Sequence, residues 1–330
     1  MKSVLAKRRI LALSGVILIL LFFIGFTATP APAPASEPES KPTVTSTTDK
    51  LKVHFIKTTR MCDAILIDLG KTEILIDGGF PNSGVAEYIK NHVDGSLEAM
   101  VATHPHPDHV GGLVDVLQTF DVNEIWVNGD NLNISPEVIN SSPMPETFSR
   151  FVEICQIFTN MMNKEGASVH VARRGQTIDI GILSLYVVHP DSLLSYSPSE
   201  AIGSIFRIMN NNSVVLRLGY GNMAFLFTGD ALKKAEASIL EAGLVVKADI
   251  LKVGHHGAID SCSPQFLKSV VPEVAVYMAS GKGAKYSMIK PHPETIAALK
   301  EVGAKVYGVD THGTIIITTD GNTYTIDTEK

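Results

Sequence analysis

The chain has 330 residues, 45% of them hydrophobic, enough to fill one large domain or two small ones and too many for a disordered or fibrous protein. Its formal charge is −6, and setting aside the four basic residues near the N-terminus leaves −10, so charge alone would not draw a polyanion to it. Cys62, Cys155 and Cys262 are too few and too scattered for a disulfide framework, so core packing must hold the fold.

Those four basic residues, Lys2, Lys7, Arg8 and Arg9, precede an uncharged apolar run from Ile10 to Phe26. This is the layout of a secretory signal, and residues 1–28 are expected to be a signal peptide or an N-terminal membrane anchor. The run, roughly 17 residues, sits at the lower edge of spanning length. The best small-x-small site, Ala33-Pro34-Ala35, lies well downstream, so cleavage and retention both stay open. No cysteine follows the run, which argues against a lipoprotein anchor. Residues 29–50, rich in Pro, Ala, Ser and Thr, are expected to be an extended tether. The expected location is extracellular or on the cell surface, with the membrane as a partner if the segment is retained.

Residues 51–330 are expected to fold as one domain. "LKVHFIKT", "DAILIDLG" and "TEILIDGG" are β-branched runs closed by polar or glycine breaks, and predict three consecutive strands. A helix from Asn82 to Lys90, a strand "LEAMVAT" ending at His104, a short helix over Gly112 to Thr119 and a strand "EIWVN" follow. From Glu146 to Asn163, Phe148, Phe151, Val152, Cys155, Phe158 and Met162 recur at three- and four-residue spacing, which predicts an amphipathic helix with its stripe in the core. The second half alternates "LSLYVVHP", "NSVVLRLGY", "MAFLFTGD", a helix "ALKKAEASILEAG", "ADILKVGHHG", a short helix, "EVAVYMAS", a helix "PETIAALKEVG" and the pair "TIIIT" and "TYTID". Asn212 and Ser213 are taken as turn chemistry, and Trp126 as core. Two strand-rich halves with helices imply two sheets packed face to face and covered outside by helices.

"THPHPDHVGG" gathers His104, His106, Asp108 and His109 within six positions. Imidazole and carboxylate are the donors zinc takes, usually four at a time, and any further donor from elsewhere exceeds a single site, so a metal pair is expected. Pro105 and Pro107 stiffen the intervening backbone, and Gly111 and Gly112 let the chain turn into the next helix. Four more polar residues end apolar strands: His189, Asp230, His255 and His256. Strand ends are where α/β sites are commonly built.

With these motifs the sequence resembles the metallo-β-lactamase superfamily, and within it the soluble hydrolase domain of ComEC-type DNA-uptake proteins. "DAILIDLGKTEILIDGG", "THPHPDHVGG", "NNNSVVLRLGYGNMAFLFTGD", "ADILKVGHHGAIDS" and "VYGVDTHGTIIITTDG" carry the resemblance from Leu51 to Asp327. It implies an α/β fold of αββα type, two packed mixed sheets with helices on the outer faces. It implies one zinc on His104, His106 and His189, a second on Asp108, His109 and one of His255 and His256, a bridging carboxylate from Asp230, and an orienting acid in Asp77. Two zinc ions are expected, with manganese also admissible. A shared water ionised near neutral pH would be the nucleophile, making Asp108, His109 and Asp230 catalytic.

The relatives' "YGHP" motif is only partly kept: His292-Pro293 survives while the tyrosine is displaced to Tyr286. His292 is expected either to touch substrate or to cap the helix starting at Pro293. The run Lys282, Lys285 and Lys290 is expected to be a solvated loop, and Cys262 a packing residue. The resemblance favours a phosphodiester, small or short given the acidic domain, with nucleic acid as the wider class. An amide or ester bond, as in β-lactamases and lactonases, is the alternative, and a non-catalytic binding module the second. No obligatory protein partner is evident.

Overall fold

The computed structural model describes residues 50–164, 166–279 and 290–330. The expected signal or anchor, and the tether up to residue 49, lie outside these residues, as do Lys282, Lys285 and Tyr286. Among the described residues, no helix is long and apolar enough to cross a membrane.

Six strands come first: β1 (Leu51–Phe55), β2 (Ile65–Asp68), β3 (Glu73–Ile76), β4 (Leu97–Ala102), β5 (Val122–Val127) and β6 (Ser168–Val171). The next seven are β7 (Thr177–Ile180), β8 (Leu183–His189), β9 (Val215–Tyr220), β10 (Met223–Phe227), β11 (Ile250–Lys252), β12 (Val274–Tyr277) and β13 (Lys305–Gly308). β14 (Ile315–Thr319) and β15 (Tyr324–Thr328) return to the first group. The result is an 8-stranded sheet in the order β15-β14-β1-β2-β3-β4-β5-β6 and a 7-stranded sheet in the order β13-β12-β11-β10-β9-β8-β7. Both are mixed: β3 to β6 and β10 to β13 run parallel, and the remaining neighbours are antiparallel.

Period-two patterning decides which face of each strand is inside. On β1, Leu51, Val53 and Phe55 point between the sheets and meet Leu216, Leu218, Phe225 and Ile250 of the second sheet. Each such fully buried side chain contributes about 1.5–3 kcal/mol. The outer face of the first sheet is covered by α1 (Val85–Ile89), α2 (Pro107–Leu117) and, beyond α3 (Pro136–Asn140), α4 (Pro145–Met162). After α5 (Ile202–Asn211), the second sheet is covered by α6 (Lys233–Glu241), α7 (Pro264–Val270) and α8 (Pro293–Glu301), with the single turn α9 (Val309–His312) beside β13. This is the expected αββα sandwich.

Three local expectations are corrected. α2 begins at Pro107 rather than Gly112, because His106 is extended at its N-cap and Pro107 already has the fixed φ of a first helical residue. Asp108 and His109 therefore sit on a helix, not in a loop. α5 and β13 were not foreseen, although Ile202, Ile205 and Met209 have helical spacing and are all buried. The α4 stripe divides: Cys155, Phe158 and Met162 enter the core, while Phe148 and Phe151 stay half-buried beside Phe206 of α5.

Gly111 and Gly112 act through close approach rather than turn geometry. Gly112 donates its N–H to Gly79 O at 2.7 Å, and a Cβ there would collide with the Gly78 carbonyl oxygen. We expect Gly112→Ala to cost about 1–3 kcal/mol, as overpacking does. An unfolding midpoint in urea equal to wild type would show that the loop can move aside.

Candidate metal centre

The parallel strands bring their C-terminal ends together at one edge of the sandwich. His104 and His106 follow β4, Asp230 follows β10, and His255 and His256 follow β11. Val214 N donates to Thr103 O at 2.9 Å, joining the two sheets beside this edge.

Asp230 is the centre. Its Oδ2 lies 3.4 Å from His109 Nε2, 3.5 Å from His256 Nε2, 3.8 Å from His255 Nε2 and 4.0 Å from His104 Nε2. Asp108 Oδ2 lies 3.2 Å from His256 Nε2 and 4.0 Å from His109 Nε2. Two of the groups able to hold an ion contain Asp230: His104, His106 and Asp230, and Asp108, His109, Asp230 and His256, with the ligand atoms of each within 4.8 Å of one another.

The donor atoms fit a metal. Nε2 of His104, His106 and His109 and Oδ1 of Asp230 are buried with no hydrogen-bond partner. A buried polar atom left unmade costs about 1–3 kcal/mol, and convergence of four on one point is what a cation would repay. Burial, reinforced by the His109 and His106 rings, pushes the pKa of His104 well below its ordinary value, leaving its lone pair free. Burial alone would keep Asp230 protonated, but the His256, His109 and His255 rings hold it ionised.

Two of these rings, those of His109 and His256, are aimed by a neighbouring carboxylate. Asp77 Oδ2 accepts from His109 Nδ1 at 2.7 Å and from Thr103 Oγ1 at 2.7 Å, while Oδ1 accepts from Thr103 N at 2.8 Å. That fixes His109 with Nε2 toward the centre. On the other side Asp63 Oδ1 sits 3.0 Å from His256 Nδ1, and its Oδ2 pairs with the buried Lys252 ammonium. His255 and His256 both have left-handed backbones, φ 46° and 54°. A non-glycine residue there costs about 1–3 kcal/mol, and such strain clusters at functional sites.

The metallo-beta-lactamase superfamily model matches residues 58–282, more than half of the chain. The chain belongs to the metallo-beta-lactamase superfamily. It is similar to ComE operon protein 3 of Bacillus subtilis, 27% identical over 219 residues that make up 66% of this chain and 24% of that protein. It is also similar to competence protein ComA of Neisseria gonorrhoeae, 38% identical over 112 residues, 34% of this chain and 14% of that protein. Both are ComEC-type proteins, and the matched region spans about a quarter or less of their length. Among solved structures, the metallo-beta-lactamase fold protein YhfI from Bacillus subtilis is 14% identical, with a TM-score of 0.48, covering 81% of this chain and 99% of that one.

Within this metallo-beta-lactamase domain, a metal-dependent hydrolase fold, not every expected ligand reaches the centre. His189 does not join the groups able to hold an ion among the described residues. Its Nε2–H donates to Asn211 O at 2.7 Å, and burial pushes its pKa down to about 4. As the last residue of β8 it lines a cavity of about 370 Å³ together with Asp191, Lys234 and Glu241. Of the histidine pair, His256 is in a metal-competent group and His255 is not; His255 Nδ1 donates to Asp260 Oδ1 at 2.9 Å, and its Nε2 lies 3.3 Å from Asn210 Nδ2. His292 caps α8: its Nδ1 accepts from Glu294 N at 3.3 Å.

Several residues around the centre went unrecognised in the sequence. Asp63 had the only visible signal, a lone carboxylate directly before an apolar strand. Lys252 looked like one more strand residue and is fully buried. Lys290, expected in a solvated loop, is within electrostatic reach of Asp230, Asp108, Asp260 and Asp63, and burial lowers its pKa although those carboxylates oppose the shift. Phe206 packs 4.8 Å from the His106 ring and so forms part of the wall.

Proposed function

We propose that this chain is an exported dinuclear-metal hydrolase acting on a small or short phosphodiester. The carrying observation is that the two metal-competent groups share one carboxylate, Asp230. Two ions bound there, zinc being the favoured metal, would supply Lewis acidity and a water ionised near neutral pH.

The chain's own residues do the remaining work. Asp77 and Asp63 hold the His109 and His256 rings in one tautomer and orientation. Lys290, within electrostatic reach of Asp230 and Asp108, favours an anionic substrate such as a phosphodiester. Phe206, with Phe148 and Phe151 behind it, walls the His106 side against water. The resemblance to ComEC-type DNA-uptake proteins favours a nucleotide-containing substrate, whereas the acidic balance disfavours long duplex, whose binding depends on many Lys and Arg contacts. Export rests on the N-terminal sequence pattern alone.

The test compares bis(p-nitrophenyl) phosphate with a chromogenic cephalosporin, and then a short oligonucleotide with a phosphocholine ester and plasmid DNA at physiological salt. Turnover of the phosphodiester, and a higher kcat/KM on the oligonucleotide or the choline ester than on plasmid, is expected. Cephalosporin hydrolysis without phosphodiester hydrolysis would move the assignment to the amide alternative. Efficient plasmid degradation with weak activity on both small substrates would remove the size preference.

A further inference from the structure

A second group of metal-ligating side chains lies apart from the candidate centre, on the outer face of the first sheet. His54 of β1, Asp68 of β2 and His92, just beyond α1, place one donor atom each within 4.8 Å of one another. The strands explain the meeting. Lys52 pairs with Asp68 and His54 with Leu66 across β1 and β2, so His54 and Asp68 are diagonal neighbours on one face. The turn after α1 then lowers His92 onto them, its ring centroid 4.7 Å from that of His54 at 74°.

His54 is the telling residue. It is 1% exposed, and its Nε2 is buried without a hydrogen-bond partner. Asp68 Oδ2 is 3.8 Å away, too far for a hydrogen bond but a suitable span for two ligands around one ion. Nδ1 is occupied by Tyr88 OH at 2.9 Å. A ring gripped at Nδ1 with Nε2 free is how a metal-ligating histidine is usually held. Burial, with the His92 ring adding to it, pushes the His54 pKa down to about 4. Asp68 Oδ1 accepts from Gly70 N at 2.9 Å, which fixes the carboxylate and leaves Oδ2 facing the histidines.

We propose that His54, His92 and Asp68 form a third metal site, selective for a divalent transition ion such as zinc, that clamps the end of α1 to β1 and β2. Two imidazoles and one carboxylate suit zinc, cobalt or nickel rather than magnesium or calcium. His92 is half-buried, so the fourth position opens toward solvent and a water can complete the shell. Lys52 Nζ, 3.8 Å from Asp68 Oδ2, competes for the carboxylate, but its side chain is half-exposed and can swing away.

The test counts ions on the 330-residue chain, stripped with chelator and dialysed against a buffered zinc series. Wild type is expected to bind one equivalent more than His92→Ala, a substitution at a half-buried turn that leaves both groups around Asp230 untouched. Asp68→Asn, which keeps the side chain's shape, should show the same deficit, and with cobalt both variants should lose part of the d–d absorption. Equal stoichiometry for wild type and both variants at every free zinc concentration would overturn the proposal. Because the readout is a difference in bound metal, it stands or falls separately from any hydrolytic activity.

Discussion

Asp230→Ala is expected to lower metal occupancy in both groups around it and to reduce phosphodiester turnover by at least about 10²-fold, the scale of losing one strong electrostatic contribution to a transition state. The physical reason is that Asp230 is the one carboxylate common to His104 and His106 on one side and to Asp108, His109 and His256 on the other. Removing it takes away the one carboxylate that the His104, His109, His255 and His256 rings all approach. Asp108→Ala is the control, since Asp108 belongs to one group only. Elemental analysis of the two variants should therefore differ, with Asp108→Ala keeping an ion on His104 and His106 that Asp230→Ala loses. A variant lacking Asp230 with wild-type metal content and turnover would end the shared-carboxylate reading.

The second large effect is on stability. Lys252 is 1% exposed, its ammonium pairs with Asp63, and it also donates to Val253 O at 2.9 Å. Taking away one partner of a buried ion pair leaves an uncompensated charge, and Lys252→Met should cost about 3–5 kcal/mol in denaturant titration. The loss is mainly the stranded carboxylate of Asp63. The double variant Asp63→Asn with Lys252→Met should therefore recover much of it, because burying a matched neutral pair is often tolerated. Activity should separate from stability in this pair: the double variant replaces the carboxylate beside His256 Nδ1 with a neutral amide and is expected to stay impaired in turnover while regaining its fold. Single and double variants of equal stability would show that the ion pair is not the source of the cost.

Much of the centre was legible because it is local. His104, His106, Asp108 and His109 are spaced by a strand end and the first turn of a helix, so chain connectivity brings them together whatever the rest of the fold does. Asp230 and His256 were legible for a different reason. Each follows an apolar strand, and the C-terminal ends of parallel strands in such folds collect at one edge. The layered architecture was equally visible in the alternation of strands such as β1 and β14, because a one-residue pattern already says which side chains must be hidden.

His189 has the same sequence signature as Asp230, a polar residue closing an apolar strand, but its ring takes a different partner. β8 is antiparallel to β9 and β9 to β10, so β8 runs the same way as β10 and ends at the same edge; what differs is the ring, which settles on the Asn211 carbonyl. Nothing in a one-dimensional pattern distinguishes a strand end that faces the cluster from one that faces α6. The choice between His255 and His256 had the same character, since adjacent residues differ only in direction. Two consecutive left-handed backbones turn His256 toward Asp108 and Asp63 and leave His255 to Asp260 and Asn210. Asp63, Lys252, Lys290 and Phe206 come from four distant parts of the chain, so their meeting depends on how two sheets stack. The sequence by itself determined the donor set, the layers and the family, because these rest on local spacing and side-chain periodicity. Only the tertiary structure decided which donors converge and what holds them, because contacts between distant segments arise from packing that local patterns do not encode.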